Sequence, residues 1–264
     1  MKSKKVFLEI GSIKGKGTEI EVDMCSYSFM REIDNYGKIR SDLMGGNISL
    51  AITQIPPIGI LNWGLRNIYF NGFVHFKDDS GQISESLSFE NAACVNMVIS
   101  YENEGQSYLA TQITLQSEII NLHGDYVLFN HWMREKPVAT YTDTPAPPKE
   151  VSASLKKHLP DIDATYDASS ITAYMVHENK QIELKSFEMD FGQEVDHNVE
   201  PQSEVVGGIA TITLFGMPDE SINRWMIKKE SWNGKFQFGD PLSGYPMTIE
   251  FQGAECIGYC VQSL

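Results

Sequence analysis

Apolar residues return at every second position along most of this chain. Ile48, Leu50 and Ile52 alternate with small or polar residues, and Ala210, Ile212 and Leu214 do much the same. Ile182 and Leu184 repeat the pattern, and Ser107–Ile120 (SYLATQITLQSEII) carries it over a longer run. A period of two predicts strands with one buried face. Val6–Ile10 and Ile171–His177 read as further strands, each opening one half of the chain. Two stretches break the alternation. Pro56–Asn67 places Ile58, Leu61, Trp63 and Leu65 at helical spacing, and a later stretch does so with Ile222, Trp225 and Ile227 behind Asp219-Glu220. Each predicts a short amphipathic helix, the first entered through proline.

The two halves are copies. SDLMGGNISLAITQIPPIGILNWGLRNIYFNGFVHF begins at Ser41, and SEVVGGIATITLFGMPDESINRWMIKKESWNGKFQF begins at Ser203, an offset of 162. Without a gap, Gly45-Gly46 falls on Gly207-Gly208, Pro56 on Pro218, Trp63 on Trp225, Asn71-Gly72 on Asn233-Gly234, and Asp78 on Asp240. Upstream, Glu32 and Asp34 fall on Glu194 and Asp196; downstream, Phe89, Ala92 and Cys94 fall on Phe251, Ala254 and Cys256. Residues 20–102 and 182–264 share 18 identities. Such self-similarity is the signature of a tandem repeat. Ile171–His177 matches Val6–Ile10 only if a gap of a few residues is allowed.

The copies differ at their ends. The first runs on into Ser107–Ile120, whereas Leu264 is the equivalent of Glu102, so the second copy is expected to lack a strand. A missing strand leaves an unpaired edge, for which Lys5–Ile10 or a neighbouring chain are the candidate covers. The Gly-Gly pairs are expected just ahead of a strand, where a bulge or tight turn excludes a Cβ. The expected class is mainly β with a minor helical part: two tandem small antiparallel barrels, each with one short helix and closed to hide its edges. The expected division is 1–122, a connector 123–170, and 171–264. The connector includes KPVATYTDTPAPPKE, an extended Pro- and Thr-rich run, and VSASLKKH, a short helix stopped by Pro160. Trp132 beside it has no counterpart and is a candidate for docking the connector.

Charge narrows the function. The formal net charge is −14, with −5 in residues 1–135 and −9 in the rest. Phosphate-binding surfaces carry the opposite balance, so nucleic acid is not an expected partner. No apolar run approaches the about 18–20 residues that span a bilayer, and the apolar stretch Val6–Ile10 is too short for a signal-peptide core. Neither membrane insertion nor signal-peptide export is therefore expected. Four cysteines are too few for a disulfide framework, and Cys256-x3-Cys260 without a nearby histidine is a poor zinc signal. Buried thiols in a reducing compartment are the expectation.

The chemistry searched for leads away from catalysis. His75, His123, His131, His158, His177 and His197 form no H-E-x-x-H pattern. Asp161, Asp163 and Asp167 lack the glycine and final glutamate of a calcium loop. Gly11, Gly15 and Gly17 precede a strand rather than a helix, so they do not cradle phosphate. Glu32/Asp34 and Glu194/Asp196 are paired carboxylates, but their repetition in a hairpin-like loop points to a structural or assembly contact more than to acid–base work. Trp63, Trp225 and Trp232 read as core residues. No catalytic, metal or cofactor site is expected.

The ordered set Cys25-Ser-Tyr27, Arg31, Asp34, Gly37, Ser41, Gly45-Gly46, Trp63, Asn71-Gly72, Phe89-Glu-Asn-Ala92 and Cys94-Val95 resembles the tube protein of the type VI secretion system, haemolysin-coregulated protein or TssD, in its Bacteroidetes form. The resemblance covers residues 4–120 and, through the repeat, 171–264. It implies non-enzymatic β-barrels that assemble into six-membered rings. The rings stack into a hollow tube, which a contractile sheath fires and which carries effector proteins. A tandem chain then implies three chains per pseudo-sixfold ring, with Tyr27, Arg31, Asp34, Glu194 and Asp196 as candidate assembly residues. Met189, Gln193 and Val199 replace the Tyr, Arg and Gly positions in the second copy. The rival readings are a tube-to-spike adaptor or capping ring, and a double-barrel ligand-binding module. An effector enzyme is the weakest rival, because the connector is too short to bury a core of its own.

Overall fold

The structure is a computed structural model, and it describes residues 5–11, 18–41, 44–104, 106–122, 126–129, 171–196, 201–216, 218–228, 230–240, 244–258 and 260. The Pro-rich run, the VSASLKKH segment, Trp132, the aspartates at 161, 163 and 167, and four of the six histidines lie outside these residues. The chain folds as antiparallel strands with two short helices, and it groups into two compact units. The first comprises Met1–Val98, Ala110–His158 and Asp190–Gly208; the second comprises Ile99–Leu109, Leu159–Met189 and Ile209–Leu264.

In the first unit, β1 (Lys5–Ile10) pairs with β2 (Thr18–Val22) on one edge and β5 (Tyr69–Lys77) on the other. β5 continues to β6 (Ile83–Glu104), β6 to β7 (Gln106–Gln116), and β7 to β4 (Met44–Ile52). β4 pairs with β3 (Met24–Met30), which follows β2 after the single residue Asp23. The circuit therefore closes, and closure removes the sheet edges. A flap of β8 (Ile119–Leu122) and β9 (Tyr126–Phe129) adds to β6. The alternation of the sequence becomes the core: Leu8, Ile20, Ile48, Leu50, Ile52, Val74, Leu87 and Leu115 are all fully or almost fully buried.

The helix α1 (Ile58–Leu65) begins behind Pro57 and buries Ile60 and Trp63. Trp63 stacks on Phe89, meets Phe70 edge-on, and donates its Nε1–H to the Ala92 carbonyl at 3.0 Å. The one polar atom of a buried indole is thereby satisfied.

The second unit repeats this plan with changes. β10 (Thr172–His177) pairs with β11 (Lys180–Gly192) and β13 (Trp232–Asp240), and β13 pairs with β14 (Gly244–Ala254). β12 (Val206–Leu214) pairs with β11, and α2 (Glu220–Lys228) follows it. β11 is β2 and β3 run together, because Lys185 stands where Asp23 interrupts the first copy. Asp23 there accepts from the Thr53 backbone and hydroxyl, at 2.8 and 2.6 Å.

Strand register locates the gap that the repeat required. Val6 pairs with Phe76, and Ala173 pairs with Phe238, which is Phe76 in the second copy. The opening strands are thus offset by 167 and everything after them by 162. The five missing residues come out of the first hairpin, where Glu178-Asn179 replaces Gly11–Gly17 as the connection.

Among the described residues no strand occupies the place of β7, between β12 and β14. Lys5–Ile10, one of the two candidate covers, does not fill it, because both edges of β1 are already paired within the first unit. What the second unit gains instead is apolar filling from residues 99–109. Ile99, Tyr101 and Leu109 are buried there; the Tyr101 ring meets Phe238 edge-on, and its hydroxyl donates to the Ile171 carbonyl at 3.2 Å.

Candidate functional site

The repeated glycines are explained by geometry that recurs in both copies. The pairs Gly45-Gly46 and Gly207-Gly208 are the second and third residues of β4 and β12, rather than lying ahead of them. All four have positive φ, between 83° and 148°. In the first copy the register slips here, with Phe29 opposite Gly45 and Ser28 opposite Asn47, so Gly46 is the bulged residue. A Cβ on Gly207 would lie 2.4 Å from the Asp190 carbonyl oxygen.

Asn71-Gly72 and Asn233-Gly234 sit inside β5 and β13 at a second bulge. The asparagine Oδ1 accepts the backbone N–H of Asn91 in one copy and Gly253 in the other, both at 2.8 Å. A Cβ on Gly72 would meet the Glu9 carbonyl oxygen at 2.2 Å and Phe89 at 2.6 Å. On Gly234 it would meet the Val176 carbonyl oxygen at 2.4 Å and Phe251 at 2.6 Å. Trp225 repeats the Trp63 bond, donating to the Ala254 carbonyl at 3.2 Å, but it is only part-buried. It stacks flat on Trp232 at 4.4 Å, and Trp232 in turn stacks on His177 at 3.8 Å.

Arg31, Asp34, Glu194 and Asp196 lie at a small loop whose closing contacts recur in both copies. In the first copy Ile33 bridges Ile39, and Glu32 N–H donates to Ser41 Oγ at 2.8 Å. In the second copy Val195 bridges Pro201, and Glu194 N–H donates to Ser203 Oγ at 2.9 Å. Asp34 is the turn-former: its Oδ1 accepts the N–H groups of Tyr36 and Lys38, both at 2.9 Å. Glu32 and Glu194 are exposed and Asp196 is half-buried. The loop tip presents Tyr36, 96% exposed, beside the exposed Ile33 and Ile39.

Tyr27 is half-buried on β3, near the Phe29 ring. Burial, reinforced by the neighbouring Glu85 carboxylate, pushes its phenol above the ordinary tyrosine range. Arg31 is exposed, whereas its counterpart Gln193 is buried.

One polar cluster had no signal in the sequence. His75 Nε2 lies 3.0 Å from Glu9 Oε2, and His75 Nδ1 lies 3.1 Å from Ser86 Oγ. Ser86 is directly opposite His75 in register and Glu9 lies one strand over, so the three form a polar row across β1, β5 and β6. The counterparts Val176, Gln237 and Thr248 carry no such row; only pairing register reveals it.

Burial pushes the Cys94 thiol up to about 12 and the Cys25 thiol up to about 11, so both stay protonated at neutral pH. Cys256 is half-buried and Cys260 exposed. Among the described residues no group of three His, Cys, Asp or Glu side chains converges on a metal position, and no helix is long and apolar enough to cross a membrane. Among the described residues, open grooves lie on strand surfaces beside Phe73, Ser86 and Asn121 and beside Gly234 and Phe251.

Comparison with known proteins bears on the duplicated pattern directly. The model of the family described as hemolysin coregulated protein Hcp (TssD) matches residues 2–133 and again residues 169–263. The chain belongs to the Hcp (TssD) family. It does so twice over, and the two matches coincide with the two copies of the internal repeat.

Solved structures similar to this chain each cover about half of it. Hcp1 from Flavobacterium johnsoniae is 20% identical over 48% of this chain and 99% of its own, with a TM-score of 0.42. Hcp1 from E. coli EAEC 042 is 15% identical over 48% and 97%, with a TM-score of 0.38. The sheath/tube terminator of the PVC extracellular contractile injection system is 15% identical over 45% and 92%, with a TM-score of 0.32. No curated protein matches the chain.

Proposed function

We propose that this tandem Hcp-family protein is a non-enzymatic, self-assembling subunit of a type VI secretion tube. Three chains supply six barrels to a pseudo-sixfold ring, whose lumen holds effector cargo. The single observation that carries the reading is the double family match, one over each half of the chain. The domain division that goes with it is a first barrel over 1–122, a connector over 123–170 and a second, shorter barrel over 171–264. Partners are further copies of the chain, a contractile sheath, a spike and effectors. The protein assembles in the cytoplasm and leaves through the contractile apparatus. The strongly acidic balance fits a tube that does not retain nucleic acid.

The adaptor or capping-ring reading draws on a specific observation, the open place beside β12. A ring whose alternate barrels differ presents two kinds of face, and such a ring suits the end of a tube better than its middle. Light scattering with negative-stain imaging at several concentrations separates these readings. Six-lobed rings near three times 29.7 kDa are expected. Stacks of rings favour the tube and single rings favour the adaptor. A strict monomer at every concentration, with purified sheath and spike components present, overturns both.

A further inference from the structure

Within the first unit, Gly192 and Gln193 of the second copy lie against β6 of the first. Gln193 N–H donates to the Val95 carbonyl at 2.9 Å, and its Nε2 reaches the Cys94 carbonyl at 3.5 Å. The internal repeat builds both sides of this contact a second time. Gln193 corresponds to Arg31, Val95 to Ile257, Cys94 to Cys256, and Ala93 to Glu255.

The second set has the same local structure. Cys94 Sγ donates to the Asn96 carbonyl at 3.3 Å, and Cys256 Sγ to the Gly258 carbonyl at 3.2 Å. The Trp63 and Trp225 indoles fix the preceding Ala92 and Ala254 carbonyls alike. The loops that carry the donors Gln193 and Arg31 share the bridge and the serine contact described above. The difference is exposure. Gln193 is buried, but Arg31 is exposed; Val95 is half-buried, but Ile257 is 82% exposed.

We infer that the exposed set is engaged between chains: Glu255–Gly258 of one chain adds to the end of β3 in a neighbouring chain, at Arg31, in the register that Cys94–Val95 uses at Gln193. Arg31 N–H then donates to the Ile257 carbonyl, as Gln193 N–H does to Val95, and Ile257 loses its exposure. The charges agree with this pairing. The in-chain set carries neutral Gln193 and, two residues before Val95, neutral Ala93; the exposed set carries Arg31 and, at the same places, the exposed Glu255, so the contact between chains offers a diagonal cross-strand ion pair. Strand addition supplies backbone bonds, and the side chains supply register. Donor and acceptor are different surfaces, so the interface is heterologous and runs head to tail, the type that generates rings when its rotation closes.

The inference rests on the self-assembly reading and gives it a contact. A charge exchange tests it on the full chain. Arg31→Glu and Glu255→Arg, both at exposed positions, are each expected to raise the concentration for half-assembly about tenfold or more. The double variant is expected to return it to near the wild-type value. Assembly unchanged in both single variants overturns the contact while leaving the tube reading intact.

Oxidation of an Arg31→Cys/Ile257→Cys variant, which places a thiol on each side of the proposed pair, provides a second readout that does not need a stable ring. A head-to-tail disulfide ladder that disappears in either single variant is expected, and the absence of any such ladder overturns the contact. A ladder that forms but never yields closed rings upholds the contact and overturns the ring.

Discussion

The two copies of one pattern reach very different degrees of burial. In the first, Ile48, Leu50 and Ile52 are at most 1% exposed, because β4 has β3 on one edge and β7 on the other. Their counterparts Ala210, Ile212 and Leu214 are only half-buried on a strand with a single partner, and Val206 and Ile209 nearby are exposed by about 60%. The same contrast runs through the helices. α1 has no side-chain cap, standing behind Pro57, but anchors a fully buried tryptophan. α2 is capped by Asp219 and anchors a half-buried one. A helix held by its core tolerates a poor cap, and a weakly packed helix depends on a good one.

The comparison can be broken at several points, starting with the bulges. Replacing Gly45-Gly46 or Gly207-Gly208 with valines forces L-residues into positive φ at paired positions. It is expected to cost more than about 4 kcal/mol and to unfold or misassemble the protein. Full retention of circular dichroism and melting temperature after both changes removes the bulge account.

Next come the tryptophans. Trp63→Ala empties a fully buried site and is expected to cost about 3–5 kcal/mol, while Trp225→Ala costs about 1–2 kcal/mol. Equal costs in urea titrations contradict the difference in packing.

The Asn-Gly bulges should instead behave alike. Gly72→Ala and Gly234→Ala drive a Cβ against a backbone oxygen and a phenylalanine ring in both copies, at about 1–3 kcal/mol each. A difference of more than about 2 kcal/mol between them, the full width of that range, contradicts the equivalence of the two bulges.

The smallest effect is at the cap. Asp219→Ala is expected to cost about 1 kcal/mol by loss of the N-cap. Hydrogen bonds from the Ser221 hydroxyl, Lys180 and the Ile222 backbone hold the Asp219 carboxyl well below its usual range. A lowered folded value means that this stabilisation is complete above about pH 4, the ordinary aspartate value, and fades as pH falls through the folded value. The site is largely exposed, so solvent screening keeps the pH effect small. An Asp219→Asn variant that keeps the wild-type acid limb in thermal melts discounts it.

Much of the fold was legible because it is local. Alternation marks strands, helical spacing marks α1 and α2, and an ungapped offset of 162 marks the duplication. The landmark glycines were visible as a repeated pattern, but their reasons were not. Gly72 needs the Glu9 carbonyl and the Phe89 ring in place before it must be glycine, and those residues are 63 and 17 positions away. The polar row of Glu9, His75 and Ser86 was invisible for the same reason, since it exists only once β1, β5 and β6 are in register. The candidate loop of Arg31, Asp34, Glu194 and Asp196 was located by repetition, while the turn-forming role of Asp34 came from its hydrogen bonds.

By itself the sequence determined the strand and helix content, the duplication and the family, because residue periodicity and a repeated order of side chains are properties of the chain. Only the tertiary structure decided which barrel closes, which segments fill which core, and which copies of a repeated surface stay exposed. Those outcomes depend on pairing between strands far apart in sequence. Residues 99–109 pack into the second unit and residues 190–208 into the first. Identical short patterns therefore end up buried in one copy and exposed in the other, because burial is set by neighbours that the pattern does not encode.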